Sequence, residues 1–87
     1  MRYKVEYLEE VVKSDIPKIP KKIRGIIKRA IESRLMHDPL AFGKPLRYSW
    51  KGHRSLRVGD YRIIYRIVEP NKVVIVAAIK HRKEAYL

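Results

Sequence analysis

The side chains that could do chemistry in this sequence are mainly cations, and they gather in its second half. These cations, with the aromatic residues near them, are Lys51, Arg54, Arg57, Arg62, Arg66, Lys80, Arg82 and Lys83, with Trp50, Tyr61 and Tyr86. Guanidinium groups match phosphate oxygens in bidentate geometry, and aromatic rings stack on unpaired bases. The pattern therefore favours a surface that binds single-stranded RNA.

Metal chemistry is poorly supported by the residue types. The chain has no cysteine, and its histidines, His37, His53 and His81, lie in separate segments without the spacing of metal ligands. Glycine-rich phosphate loops, nucleophile elbows and His-Glu-x-x-His motifs do not occur in the sequence. We therefore expect chemistry without a metal or cofactor.

The overall charge supports a polyanionic partner. The 21 Lys and Arg residues outnumber 9 Asp and Glu, giving a net charge of +12, and most of the excess falls in residues 44–87. A basic surface that serves only solubility or thermal adaptation is the alternative. Ion-pair networks need acids in near balance, so we favour the polyanion.

The first half of the chain predicts one strand and two helices. Residues 2–7 alternate between polar and apolar, as expected of a half-buried strand. A short helix should follow from Leu8 and end near Pro17. A second helix should start at Pro20 and run to Leu35, with isoleucines at helical spacing. Residues 37–45 read as a connecting loop.

The second half predicts three strands. Leu56 and Val58 alternate with His53, Ser55 and Arg57, so the two sets should lie on opposite faces of a sheet. After a tight turn at 59–60, residues 61–68 alternate in the same way, with Arg62 and Arg66 on one side. The apolar run at 73–79 should form a central strand.

These elements predict a small single α+β domain over residues 1–87. It should have an N-terminal strand, two helices packed on one face, and a mainly antiparallel sheet of three further strands. The other face should present His53, Ser55, Arg57, Arg62 and Arg66. Tyr61 and Tyr65 are better explained as core residues than as stacking platforms.

Two segments resemble a known family. Residues 56–65 contain Leu-Arg-x-Gly-x-Tyr-Arg, and residues 81–86 contain Arg-x-x-x-Tyr. At this separation the sequence resembles the RelE/ParE superfamily of toxin–antitoxin toxins. The resemblance implies a compact fold like that of microbial ribonucleases. RelE-type members cut messenger RNA in the ribosomal A site, ParE-type members poison DNA gyrase, and an antitoxin silences both.

The resemblance also implies roles for particular residues. Arg62 and Arg82 would contact the phosphate, Tyr86 would be the catalytic or base-stacking tyrosine, and Arg57 would be a supporting cation. Well-known ribonuclease members have lysines where this chain has His53 and Ser55, so the general base stays open between His53, His81, Lys51 and Lys80. The RNA-binding set would be Lys51, His53, Arg54, Arg66, Lys80, His81 and Lys83.

We therefore expect a ribosome-dependent mRNA endoribonuclease. Its partners would be the ribosome, mRNA and an acidic RelB-like antitoxin that forms a hetero-oligomer with it. A ParE-like gyrase inhibitor and a non-catalytic nucleic-acid-binding regulator are the alternatives. No apolar run exceeds the seven residues at 73–79, so we expect no membrane partner and a cytoplasmic location.

Overall fold

The computed structural model describes residues 2–84, so Tyr86 lies outside the described residues. The first helical segment, residues 9–18, contains a π-helical turn at Val11–Asp15 and a 3₁₀ turn at Ile16–Lys18. Helix α1, Lys21–Ala30, continues into a π-helical turn at Ile31–Leu35. The strands are β1, Lys4–Tyr7; β2, Lys44–Pro45; β3, Arg54–Val58; β4, Tyr61–Val68; and β5, Val73–His81.

The second helix forms where its periodicity predicted it. Pro20 caps its start, and the Pro20 carbonyl accepts hydrogen bonds from the N–H groups of Ile23 and Arg24. Ile27, Ala30, Ile31 and Leu35 are buried, so the apolar stripe faces the sheet. Within residues 2–84, no helix has the length and apolar character needed to cross a membrane.

The sheet has five strands in the order β1-β5-β4-β3-β2. Strand β1 pairs with β5 in parallel, and the other pairs are antiparallel. The predicted α+β fold is confirmed, although the sheet is mixed. It also gains the short strand β2 inside the stretch that we had predicted to be a loop, because Lys44 and Pro45 pair with β3.

The core lies between the helices and one face of this sheet. Its fully buried members include Val11 and Leu35 from the helical side and Ile63, Tyr65 and Val76 from the strands. The predicted alternation in β3 and β4 is confirmed, because Leu56, Ile63 and Tyr65 enter this core. Tyr65 is therefore a core residue, as expected.

Strand β5 contains a bulge that changes the phase of its side chains. Tyr65 pairs with Val76 and Ile64 pairs with Ala78, so one residue of β5 is extra. Strict alternation after Val76 would bring Lys80 to the core face. With the extra residue, Ile79 enters the core instead, and Lys80 takes the far face opposite Arg62.

A network of side chains ties the loop of residues 39–43 to the sheet. The buried Tyr65 hydroxyl donates to the carbonyls of Pro39 at 2.8 Å and Phe42 at 2.6 Å. The Arg54 guanidinium donates to the carbonyls of Leu40 and Gly43, both at 3.1 Å. Burial raises the pKa of Tyr65, so its hydroxyl keeps the proton that it donates.

We expect Gly43→Ala to destabilise the protein by about 2–4 kcal/mol. Gly43 has φ +79, a conformation that costs an L-residue energy, and a Cβ there would overlap the Tyr65 hydroxyl. Urea unfolding followed by circular dichroism measures the change in the free energy of unfolding.

Gly52→Ala is the matched control. Gly52 has φ +89, but a Cβ there meets nothing within 4 Å. Its cost should be the backbone term alone, about 1–2 kcal/mol. Equal losses in the two variants would contradict the role given to the contact between Gly43 and Tyr65.

Candidate nucleic-acid interface

Three cations face one another across the far side of the sheet. Arg57 in β3 pairs with Arg62 in β4, and Arg62 pairs with Lys80 in β5. Directly opposed residues on antiparallel strands have Cβ atoms about 4.5–5.5 Å apart, and like charges there repel. We call these three residues the cation row. Their alignment offers an anion several donors at one place.

The strip beside the cation row is small and uncharged. Ser55, Ile64 and Ala78 pair across the same three strands, two residues away from the row, and all are buried. We had expected Ser55 on an open face. The structure places Ser55 on that face, but its side chain is buried. The sheet surface next to the cation row is therefore buried rather than open to solvent.

Asp15 in the first helical segment holds the β5 end of the row. Asp15 is 6% exposed, and its carboxylate accepts hydrogen bonds from the Ile79 N–H at 2.8 Å and from Lys80 Nζ at 3.3 Å. Within residues 2–84, neither Arg57 nor Arg62 forms an ion pair. The two arginines therefore carry the uncompensated charge of the row.

Sequence reasoning missed Asp15, and it treated Lys44 as part of a loop. A signal for Asp15 exists, since it lies four residues after buried Val11 and so falls on the inward face of a helix. Lys44 pairs with Ser55, which brings its Cα beside the uncharged strip. A two-residue strand has no periodicity by which to predict it.

The chain after β5 turns back on itself beside the β3–β4 hairpin. Arg82 donates its N–H to the Asp60 carbonyl at 2.8 Å, and its guanidinium lies 3.8 Å from the Asp60 carboxylate. Both of these side chains are mostly exposed, so this ion pair is weak. Arg82 is thus close to the end of the cation row, with its backbone held in place.

His81 lies on the helix side of the sheet rather than in the row. It pairs with Tyr61, whose ring meets the imidazole edge to face at 5.0 Å between centroids. Its Nδ1 accepts a hydrogen bond from the Lys83 N–H at 3.1 Å. Because that bond occupies Nδ1, Nε2 is the ring nitrogen that remains for contact with a ligand.

The other candidate residues are spread more widely. His53 is half-buried, with its ring against Trp50 at 5.1 Å, and Arg54 lies on the helix side with its guanidinium bonded to the loop of residues 39–43. Arg66 is exposed on the far face, past the uncharged strip. Lys51 and Lys83 are exposed.

The sequence matches a known family over most of its length. The family model for the ParE toxin of type II toxin–antitoxin systems matches residues 7–86. The toxin RelG of Mycobacterium tuberculosis is 33% identical over 86 residues, covering 99% of this chain and 98% of that protein. The toxin RelE of the same organism is 33% identical over 72 residues, which cover 83% of this chain and 74% of that protein.

Solved structures agree with the sequence matches. The RelBE2 toxin–antitoxin complex of M. tuberculosis contains a chain with a TM-score of 0.86 and 32% identity, covering 94% of this chain and 100% of that one. The archaeal RelE–RelB complex of Pyrococcus horikoshii contains a chain with a TM-score of 0.76 and 27% identity. The match covers 98% of this chain and 100% of that one. This chain therefore belongs to the ParE toxin family of type II toxin–antitoxin systems, within the RelE/ParE superfamily, as its sequence motifs had indicated.

We expect Asp15→Ala to lower the free energy of unfolding by on the order of 2–3 kcal/mol. The substitution leaves the Ile79 N–H without its acceptor and Lys80 without its carboxylate. Asp15→Asn keeps a carbonyl acceptor and should lose about half as much. Urea unfolding measures all three proteins.

Ser14→Ala serves as the control from the neighbouring position. The Ser14 hydroxyl bonds only to the exposed Glu10 carboxylate among the described residues. Its loss should change stability by less than about 0.5 kcal/mol. An Asp15→Ala variant as stable as Ser14→Ala would remove the anchoring role of this carboxylate.

Proposed function

We propose that this protein is the toxin of a type II toxin–antitoxin system and that it cleaves messenger RNA on the ribosome without a metal. The observation that carries the proposal is the cation row, in which Arg57, Arg62 and Lys80 lie in register across three strands. Such a row suits the phosphate of a bound RNA strand, because it sets donors from three neighbouring strands side by side on one face of the sheet.

Metal-free RNA cleavage needs three things at the reacting phosphate. The neighbouring 2′-hydroxyl attacks phosphorus, so a base must accept its proton, an acid must protonate the leaving oxygen, and positive charge must stabilise the phosphorane. Arg57 and Arg62, which have no acidic partner among residues 2–84, would supply that charge. Lys80 would donate a hydrogen bond from a fixed position, since Asp15 holds its ammonium.

The cation row and Arg82 do not include a side chain that readily accepts a proton from the 2′-hydroxyl. Arginine keeps its proton near neutral pH, and the His81 imidazole lies on the other side of the sheet. A site rich in charge and poor in bases gains most from a substrate already held in line for attack. This is why we assign the ribosome the role of positioning the message, and why naked RNA should be cut slowly.

The alternative within the family is inhibition of DNA gyrase. The matched family model carries the ParE name, which favours that target. A basic surface suits either nucleic acid, and it also suits a regulator without catalysis. We favour the ribonuclease because the cation row sits on a sheet face beside Arg82, and the sequence motif carries Tyr86 after it.

An acidic, RelB-like antitoxin is the proposed neutralising partner in a hetero-oligomer. The similar chains from M. tuberculosis and P. horikoshii were solved in complexes of toxin and antitoxin. Two surfaces of this chain support such a partner. Negative side chains would pair with the cation row. An apolar side chain from an amphipathic helix would fit the groove of about 160 Å³ between the helical segments, which is lined by Tyr7, Ile16, Ile19, Ile27 and Ile31 and bordered by Arg24 and Lys28.

We expect Arg62→Ala to reduce cleavage of ribosome-bound message by about 10²–10³-fold, by analogy with the loss of one oxyanion-hole donor. Its side chain should stabilise charge that develops only in the transition state, so the rate falls more than binding. Single-turnover cleavage on programmed ribosomes, with primer extension to map the cut ends, measures the rate.

Arg29→Ala is the matched control, because it removes the same charge from an exposed position on α1. We prefer it to Arg24, whose Nε donates to the Ile19 carbonyl at 2.8 Å. A folded Arg62→Ala variant that cuts at the wild-type rate would refute the catalytic assignment. Inhibited supercoiling with intact message would move the protein to the gyrase branch.

Antitoxin binding should weaken as salt rises. The partner's acids would neutralise Arg57 and Arg62, and screening shortens the reach of such attractions to about 8 Å at physiological ionic strength. Calorimetric titration of the antitoxin at low and high salt measures the effect, with Arg29→Ala again as the control. An affinity independent of salt would contradict this electrostatic account.

A further inference from the structure

The loop of residues 46–53 holds one aromatic side chain in an unusual position. Tyr48 is 88% exposed, and its backbone has φ 58. Among the described residues, Tyr48 and Lys72 are the non-glycine residues with positive φ. Such a conformation is unfavourable for a residue with a Cβ, and it persists only where the surrounding structure imposes it.

Backbone hydrogen bonds impose it here. The loop is closed at its base by the Leu46 N–H, which donates to the His53 carbonyl at 2.9 Å. Inside it, Trp50 N–H bonds to the Arg47 carbonyl at 3.1 Å and Lys51 N–H to the Tyr48 carbonyl at 3.0 Å. Tyr48 is therefore presented by an ordered turn, and little backbone freedom remains to be lost when something binds it.

A structural role does not account for this residue. A side chain that is 88% exposed contributes little to the core, and glycine would occupy the same φ without strain. Solubility does not account for it either, since exposed aromatic residues lower solubility. The strain and the exposure together point to a binding role for the ring.

The surroundings of Tyr48 suit a nucleic-acid base. A surface cavity of about 270 Å³ adjoins it, lined by Pro45, Leu46, Arg47 and Trp50. Exposed Arg47, Lys44 and Lys51 supply cations nearby, and residues 44–53 contain no acid. An aromatic ring flanked by cations is the arrangement by which proteins bind unpaired bases.

We propose that Tyr48 is a stacking platform for an unpaired base of the RNA strand whose phosphate lies on the cation row. The proposal rests on the proposed function, which it extends to a second contact. The loop ends next to Arg54, and Arg57 follows three residues later, about 10 Å along the strand. The stacked base therefore belongs to a nucleotide beyond the reacting one, and Tyr48 sets affinity and base preference rather than the chemical rate.

The test compares Tyr48→Gly, Tyr48→Phe and the wild type. The probe is a short fluorescein-labelled single-stranded RNA followed by anisotropy. Tyr48→Gly should bind it about 5- to 150-fold more weakly, while its melting temperature stays equal or rises because the backbone strain is relieved. Tyr48→Phe keeps the ring and should bind like the wild type. Loss of affinity without loss of stability is a result that a structural role would not produce.

Two controls separate stacking from charge and from strain. Arg47→Ala should reduce the slope of log affinity against log salt by about 1, whereas Tyr48→Gly should leave that slope unchanged. Lys72→Gly relieves backbone strain of the same kind in the β4–β5 turn and also removes a cation that lies over the Tyr3 ring. It should leave RNA affinity nearly unchanged, because neither relief of strain nor loss of a charge distant from the row removes a stacking contact.

Several outcomes would overturn the proposal. A Tyr48→Gly variant that binds RNA with wild-type affinity would overturn it. If that variant also bound the antitoxin more weakly, the ring would belong to the interface with the protein partner. A fall in affinity matched by a fall in stability would mean a structural role. If Arg62→Ala loses cleavage while Tyr48→Gly binds RNA normally, the proposed function stands and this inference fails. If the wild type neither binds RNA nor cuts message, the proposed function fails with it.

Discussion

One extra residue in strand β5 decides which side chains reach each face of the sheet. Up to Val76, alternate residues of this strand point into the core, and strict alternation would then place Ala78 and Lys80 there. The bulge moves Ile79 into the core and turns Lys80 to the far face, in register with Arg62 and Arg57. A buried lysine is thereby avoided, and a third cation joins the row.

The carboxylate of Asp15 links the bulged part of β5 to the first helical segment. Strand β1 pairs with β5 only as far as Val76, so the edge of β5 beyond that point needs another hydrogen-bond acceptor. Asp15 provides it for the Ile79 N–H and reaches Lys80 with its second oxygen. Burial of this acid is tolerated because both oxygens have donors. The position of the first helical segment and the position of a cation in the row therefore depend on the same side chain.

Much of this molecule follows from periodicity, and the exceptions have physical reasons. The isoleucine spacing predicts helix α1, and the alternation around Leu56 and Ile63 predicts the faces of β3 and β4, because each pattern has one period. The run at 73–79 is apolar on both faces, so a one-residue shift within it leaves no trace in the sequence. For the same reason the register that aligns Lys80 with Arg62 was not predictable. The placement of Arg54 against the carbonyls of Leu40 and Gly43 depends on a loop with no period at all.

The cation row also links stability to binding. Like charges in register oppose each other by a few tenths to about 1 kcal/mol per pair, which matters in a small domain whose total stability is about 5–15 kcal/mol. An anion that binds the folded row relieves this repulsion and stabilises the protein by mass action. RNA phosphate and antitoxin carboxylates would satisfy the same two arginines, Arg57 and Arg62. Neutralisation would then need no distortion of the toxin, because occupation of the row by one anion excludes the other.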